Sequence, residues 1–411
     1  ELVYYEGIYY LYWSAPEGVH FAAKYKPDDD FDPFGKDANY QIFNYDFLEI
    51  PNSHNIDGEI FFDHNDLYMF YCGLGGIHYI KLNSLDISGN NNPVQLTQCA
   101  VDNIDVLPGE IGTEGWTEAP GIFIDEGYYY LTYSGIHYLR PDYQIHSARG
   151  NSIETISPYK TNPLIAKVNG KYNGPGNNNF TLGPDLTTKY LTYHIKVGEG
   201  IHDPSKQIDR RLMIDKYEVT VDNGIETNAP TFENEPYPES IEWDNHLNSI
   251  PDDMQLTGSN KAELNLKSDY IEISTNGIEY AELLADSSIG NSFVIEGYAK
   301  GSRNFFDPKA RYGLSICDGN IKYLIEMGED PDSPASLLYF TKDNGWVDTG
   351  LKEVSYDAWH KLRIDKKDNS VTFYYDDRYV RGITVNSTGG KAGYYLEGAA
   401  ASFSWIGFSS Y

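Results

Sequence analysis

The chain has 411 residues, enough for two domains that each bury a core. Its formal net charge of −30 repels nucleic-acid phosphates and anionic membrane surfaces, so neutral or cationic partners fit better. No run approaches the ~18 apolar residues of a membrane helix. The opening "ELVYYEGIYYLYWS" carries no signal-peptide marks and starts directly on a strand-like run, which is expected to follow a removed or absent leader.

From the first residue the pattern is β. "VYYEGIYYLYWS" (3–14) has a twin in "IFFDHNDLYMFYCG" (60–73) and a third copy in "IFIDEGYYYLTYSG" (122–135). "LGPDLTTKYLTYH" (182–194) is a weaker fourth. Each pairs a strand, a turn rich in acidic residues with Gly or Asn, and an aromatic strand of period-2 alternation. The turns near 7, 65, 127 and 188 recur at a period of about 60. A further hairpin, "RLMIDKYEVTVDNGIE" (211–226), turns on Asp-Asn-Gly. Radial repetition of four-stranded blades explains hairpins at one period with almost no helical pattern. Residues 1–239 are therefore expected to form a five-bladed β-propeller.

The proline-rich, acidic "TNAPTFENEPYPES" (227–240) reads as a linker. Beyond it the period stops. Short alternating strands such as "SFVIEGYAKG", "IKYLIEMG" and "SVTFYYDD" follow one another, which predicts one antiparallel β-sandwich over 240–411. "AWHKLRIDKKDNSVTFYYDDRYV" (358–380) looks like the paired strands of concanavalin-like jelly rolls. This domain is expected to be accessory or carbohydrate-binding, with Trp346, Trp359 and Trp405 equally suited to its core.

Composition adds little about chemistry. Cys72, Cys99 and Cys317 give neither a disulfide framework nor a zinc site, although Cys72 and Cys99 would be free to pair. The 36 tyrosines suit both β-sheets and the stacking faces of sugars. The acidic run "PDDDFDPF" (27–34) reads as a solvated loop.

Acidic residues at matching places carry more. Glu118 lies four residues before Ile122, and Asp57 three residues before Ile60. Both are expected to project towards the propeller axis from adjacent blades, in near-equivalent register. Two carboxylates facing one site resist ionising together, so one stays protonated near neutral pH and can act as a general acid. A glycosidic oxygen needs such a proton to depart. An inverting glycosidase also needs a second carboxylate about 6.5–9.5 Å away, leaving room for water.

"IDGEIFFD", "WTEAPGIFIDEGYYYLTYSG", "YQIHSA", "GPGNNN" and "RRLMID…TNAPT", in this order and spacing, resemble glycoside hydrolase family 43 over about residues 1–239. Each motif is weak by itself; five in sequence are specific. The resemblance implies a five-bladed propeller that inverts configuration, acting on terminal α-L-arabinofuranosyl or β-D-xylosyl residues of plant cell-wall polysaccharide, outside the cell or at its surface. It makes Glu118 the general acid and Asp57 the residue that tunes and orients it. Arg211 is placed near the sugar, with Arg210 beside it as an alternative. Trp116 and Tyr138 are candidates for stacking on a sugar ring. The family's general base, an aspartate before Pro, would lie upstream of Glu1.

The sequence departs from the family at Asn177. A histidine usual there helps hold a calcium or a water cluster on the axis in many members, and asparagine offers one carbonyl oxygen but no imidazole. No cofactor is required and no metal ligand is assigned; a structural calcium would lack that imidazole. His194 reads as a satisfied axial residue, and His54, His137 and His202 as loop residues. Two alternatives stand beside this reading: a galactose- or galactofuranose-releasing relative, and a non-catalytic glycan-binding protein without the base.

Overall fold

Two-residue turns with positive φ shape the first half of the chain. Glu6-Gly7 (φ 52° and 79°) and Glu126-Gly127 (φ 49° and 77°) adopt the left-handed pairing that matches the twist of a tight hairpin. The computed structural model describes residues 1–15, 19–25, 41–42, 48–49, 56–73, 76–85, 94–102, 117–159, 163–166, 172–198, 209–232, 236–249, 251–259, 261–275, 279–303, 307–330 and 332–411. The run at 27–34, Trp116, His54 and His202 lie outside them, as does the side chain of Cys99.

The first unit comprises Glu1–Val3, Ile8–Gly183 and Thr188–Pro238. Its described strands form four antiparallel sheets. Sheet one holds β1 (Leu2–Tyr5), β2 (Ile8–Ala15) and β3 (Val19–Tyr25), with the short β4 (Gln41–Ile42) and β5 (Leu48–Glu49) both on β3. Sheet two runs β6 (Ile56–Asp63), β7 (Asp66–Gly73), β8 (Gly76–Leu82), β9 (Val94–Asp102). Sheet three runs β10 (Thr117–Asp125), β11 (Tyr128–Gly135), β12 (Gln144–Gly150), β13 (Ser157–Pro158). Sheet four runs β14 (Tyr172–Leu182), β15 (Lys189–Val197), β16 (Arg210–Thr220), β17 (Gly224–Thr227). Sequential meanders of this kind are propeller blades.

The hairpin expected at 211–226 founds no blade of its own. It is β16–β17, the outer half of sheet four. Period-2 patterning marks a hairpin but not which sheet receives it, so the described residues give four blades where five were expected.

The blades pack through aromatic faces. Phe61, Phe70 and Ile77 of sheet two meet Ile122, Leu131 and Tyr133 of sheet three. Tyr130 of sheet three meets Leu191, Tyr193 and Tyr217 of sheet four. Leu131 and Leu191 are fully buried, which removes about 2–3 kcal/mol of apolar surface each from water. Much of the tyrosine excess is therefore core rather than sugar-facing surface: Tyr71, Tyr130, Tyr133, Tyr143 and Tyr193 are all buried. Asp215 ties down the linker, accepting from Thr231 N–H at 3.2 Å while Tyr193 Oη donates to its other oxygen at 2.5 Å.

The second unit gathers Tyr4–Gly7, Pro184–Thr187 and Glu239–Tyr411. An eight-stranded sheet orders Glu263–Leu266, Ile271–Ser274, Ala400–Ser410, Phe293–Gly301, His360–Lys367, Ser370–Tyr375 and Arg378–Thr384, with Trp243–Asn245 also on Ala400–Ser410. A seven-stranded sheet orders Met254–Gly258, Tyr280–Ala285, Gly393–Glu397, Arg311–Ile316, Ile321–Glu326, Ser336–Thr341 and Gly345–Asp348. Alternate residues of both, such as Ile295, Leu362 and Phe373 against Leu314, Tyr323 and Tyr394, share one core. This is an antiparallel β-sandwich. Trp346, Trp359 and Trp405 stay outside that core; Trp346 is exposed beneath the Arg311 guanidinium, 4.3 Å from its ring.

Within this unit His360 is fully buried. Its Nδ1 lies 3.0 Å from Asp376 Oδ2, and its Nε2 2.9 Å from the Ser355 carbonyl. Both neighbours are acceptors, so the ring carries two protons and a charge. Asp376 and Glu6 hold its pKa above the ordinary value despite burial, and Tyr375 Oη, 3.2 Å from Nε2, donates to Glu6 at 2.8 Å. A raised histidine stabilises fully below its unfolded pKa of about 6.5, and the gain is lost as pH rises through the folded value. Glu6, also raised, acts in the same direction at lower pH. The unfolding free energy of the second unit should therefore decline above about pH 6.5. His360→Gln should flatten that decline and cost about 3–5 kcal/mol at pH 6, read by urea unfolding across pH.

Candidate active site

The inner strands of sheets two, three and four share one interruption, and β14 carries a further one between Asn173 and Gly176. Pairing jumps between Ile56 and Glu59 in β6, between Glu118 and Gly121 in β10, and between Gly176 and Asn179 in β14. Each is a β-bulge, and each puts a non-glycine residue in the left-handed region: Asp57 (φ 57°), Ala119 (φ 53°) and Asn177 (φ 51°). Asparagine and aspartate tolerate that conformation; for Ala119 it costs about 1–2 kcal/mol. Three equivalent bulges make one repeated device for turning backbone N–H groups out of the ladder.

Two of the freed N–H groups reach the preceding sheet. Ala119 N–H donates to Asp57 Oδ2 at 3.1 Å, and Asn177 N–H donates to Ser134 Oγ at 2.8 Å. Asp57 and Glu118 are thus brought together, one residue apart in register. Asp57 is equivalent to Ala119, and Glu118 to Ile56 and Gly176. The counts of three and four residues back from Ile60 and Ile122 already hold that one-residue offset, and the bulges, at the same place in each strand, leave it unchanged.

Glu118 is 8% exposed, and its Oε1 accepts from Tyr143 Oη at 2.5 Å. Asp57 is pushed up to about 6, chiefly by burial and next by the negative charge of Glu118; the Ala119 N–H and the Arg210 guanidinium pull it back. Burial, followed by Glu118 and Asp57, also raises the Cys72 thiol, which donates to the Thr117 carbonyl at 3.0 Å. Cys72 is a free thiol, so the pairing with Cys99 left open by the sequence does not form.

The other expected residues divide. Arg211 lies opposite Ile195 on β15, 61% exposed, and meets Asp209 at 3.7 Å. Arg210 lies opposite Lys196 on the other face, and its charge is the one that acts on Asp57. The arginine near the candidate acid is therefore Arg210; alternation along a strand sends neighbours to opposite faces. Arg210→Met should move the Asp57 titration to higher pH while Arg211→Met leaves it in place, a difference that carboxyl ¹³C NMR resolves. Tyr138 is half-buried, stacked on His137 (4.7 Å, 21°), and 6.0 Å from the Arg210 guanidinium. The Asn177 side chain is exposed, and its backbone makes the contact just described.

Tyr143 and Lys196 went unassigned by sequence reasoning, and His194 was read as satisfied. Tyr143 is fully buried against His194 (6.1 Å, 19°). Lys196, also fully buried, donates from Nζ to the Tyr138 carbonyl at 2.6 Å and to that of Arg140. Burial and Arg210 lower it to about 8. His194 Nε2 is buried without a hydrogen-bond partner among the described residues, and burial with the Arg210 and Lys196 charges lowers its pKa to about 3. Lys196 had a sequence signal, a charge inside the apolar strand "YLTYHIKV" (190–197).

"GPGNNN" (174–179) also finds its cause. A Cβ on Gly174 would fall 2.0 Å from Lys196 Cε, and one on Gly176 2.0 Å from Tyr143 Cε1. The two glycines make room for those side chains. For calcium, one imidazole nitrogen beside two cations is a poor donor set for an ion that wants six to eight oxygens. Among the described residues, the one group of three possible metal-ligating side chains is Glu6, His360 and Asp376, and its imidazole is already bonded on both sides.

Comparison with known proteins identifies the family. Residues 1–225, over half of the chain, match the family described as Glycosyl hydrolases family 43. The chain belongs to that family and is a glycosidase by membership. No curated relative matches the sequence. Similar solved structures include the family 43 protein BlXynB from Bacillus licheniformis, at 14% identity and TM-score 0.42, covering 100% of this chain and 85% of that one. A xylan β-1,4-xylosidase from Bacillus halodurans C-125 is similar at 13% identity and TM-score 0.39, covering 100% and 86%. The α-L-arabinanase of Cellvibrio cellulosa is similar at 18% and 0.41, covering 56% and 76%.

Proposed function

We propose that the chain is an inverting, exo-acting glycosidase that releases terminal α-L-arabinofuranosyl or β-D-xylosyl residues from plant cell-wall polysaccharide. The observation that carries this reading is the convergence of Asp57 and Glu118, in which each carboxylate lies within the other's field and Asp57 rests on the Ala119 N–H. Two such groups share a proton more readily than they ionise together. Glu118 gives that proton to the departing glycosidic oxygen as water attacks the anomeric carbon from the opposite face and yields its own proton to a further carboxylate base there, other than Asp57. Asp57, ionised, keeps the proton on Glu118 and its carboxyl aimed. Arg210 and Tyr138 border the sugar, and Arg210 keeps Asp57 ionised towards lower pH. A polymeric substrate places the enzyme outside the cell or at its surface.

A panel of 4-nitrophenyl glycosides tests the reading. Release from the α-L-arabinofuranoside or the β-D-xyloside is expected, with the first-formed sugar of inverted configuration by ¹H NMR. Release from the galactoside or galactofuranoside alone would replace the sugar, and release from none would remove the activity.

A further inference from the structure

Alternation along Phe293–Gly301 sends Phe293, Ile295 and Ala299 into the sandwich core and Glu296 and Tyr298 to the other face of the sheet. Glu296 is nonetheless only 6% exposed. It lies opposite Arg363 on one neighbouring strand and opposite Gly407 on the other. Opposite charges at such a register ordinarily pair. Among the described residues, however, the Glu296 carboxylate has no hydrogen bond or ion pair, and Arg363 Nε is buried without a partner. The Arg363 guanidinium lies instead over the Tyr374 ring, 3.9 Å from its centre.

On the other side of Glu296, Gly407 makes room for the Trp405 indole: a Cβ there would fall 2.7 Å from Trp405 Cζ2. That ring is anchored through Nε1, which donates to Asp244 Oδ2 at 3.1 Å, and it meets Tyr298 edge-on at 6.0 Å and 65°. Two residues before Arg363, Lys361 pairs with Asp377 at 2.5 Å. Trp405, Tyr298, Lys361, Arg363 and Tyr374 are each half-buried, so the strip keeps part of its surface in solvent.

We propose that this strip is a second, non-catalytic sugar site, in which Glu296 and Arg363 hold a vicinal diol of a neutral glycan while Trp405 supports the C–H face of the ring. The occupant follows from the chemistry. Glu296 and Asp377 offset Lys361 and Arg363 in formal charge, which suits a neutral ligand better than a phosphate, a uronate or a cation. A carboxylate only accepts and a guanidinium only donates, whereas each sugar hydroxyl does both. Two adjacent hydroxyls therefore bridge the pair and satisfy the groups that the fold leaves unpaired. The indole beside them offers an apolar face on which the C–H groups of a sugar pack. From the strand of Trp405 to that of Tyr374 is three strand spacings, about 14 Å, the length of a short oligosaccharide. The inference does not need Glu118 to act as proton donor; it adds a place where polysaccharide is held.

Affinity electrophoresis of the full chain tests it, in native gels containing arabinoxylan, linear arabinan or arabinogalactan, with polygalacturonate as the anionic control. A Glu118→Gln background keeps the gel polymer uncut. Retardation by at least one neutral polymer is expected. Glu296→Gln, Arg363→Met and Trp405→Ala should each weaken that binding roughly ten- to a hundred-fold. Trp346→Ala, on the other sheet, should leave it unchanged. With Glu118 intact, the same three substitutions should keep kcat and KM on 4-nitrophenyl glycosides within about two-fold of the parent. Unchanged retardation in all three variants, loss in Trp346→Ala, retardation by polygalacturonate alone, or none by any polymer would overturn the site. Those outcomes leave the glycosidase reading to the aryl glycosides. A chain inactive on every aryl glycoside yet retarded through Glu296 would keep the site and lose that reading. Arg363→Met retains the aliphatic stem beside Tyr374, so it stays informative if Glu296→Gln or Trp405→Ala fails to fold.

Discussion

Glu118→Gln is expected to lower kcat on unactivated glycosides by about 10²–10⁴-fold, the usual contribution of a positioned general acid. The amide is nearly isosteric with the carboxyl, and its oxygen can still accept from Tyr143 Oη. The site should therefore stay assembled, and the melting temperature should shift by only a few degrees. Glutamine has no proton to give. The loss should scale with the basicity of the leaving group and nearly vanish for 2,4-dinitrophenolate. Measuring kcat for four or five aryl glycosides of graded phenol pKa checks this. Activity like the parent's on a methyl glycoside would remove Glu118 from the role.

Asp57→Asn is the second large effect. Asp57 titrates at about 6 because burial and the Glu118 charge oppose its ionisation. In the proposed scheme the working form holds Asp57 ionised and Glu118 protonated. Activity should then decline below about pH 6 in the parent, as Asp57 takes up a proton and its charge no longer supports that on Glu118. Asparagine removes the charge at every pH. The acidic limb should disappear, the alkaline limb should move to lower pH, and kcat at pH 7 should decrease by roughly 10²-fold. The Ala119 N–H, which donates to Asp57 Oδ2, keeps an acceptor in the amide oxygen, so the bulge is retained. A pH–kcat profile of the variant with both limbs unchanged would show that Asp57 does not tune the acid.

The division into blades was readable because hairpin turns announce themselves. Glu-Gly at 6–7 and 126–127 needs positive φ, and the flanking aromatics alternate. The match between Asp57 and Glu118 was readable only to within one residue. Aligned back from Ile60, Ile122 and Phe180, the true equivalents are Asp57, Ala119 and Asn177. A bulge inserts its residue without a dedicated sequence sign, because the left-handed position accepts Asp, Ala or Asn. The same one-residue ambiguity hid the arginine: 210 and 211 differ only in the face of β16 they reach, and a strand's face follows from its pairing register.

The "GPGNNN" stretch was legible as unusual but not in its purpose. Glycine inside a strand announces a close approach, and what approaches comes from elsewhere in the chain: Lys196 twenty-two residues after Gly174, and Tyr143 thirty-three residues before Gly176. Long-range burial of this kind leaves no local pattern. His194 shows the opposite limit. Its place at the end of an aromatic strand suggested a satisfied residue, whereas its Nε2 has no partner among the described residues.

Coupling between the two acids is open to direct observation. Uniform ¹³C-glutamate labelling, with the Glu118 carboxyl assigned by its loss in Glu118→Gln, allows that carbon to be titrated in the parent and in Asp57→Asn. A midpoint that moves to lower pH once residue 57 is neutral is the predicted result. Identical titrations in the two proteins would contradict a shared proton between these side chains, and with it the proposed mechanism.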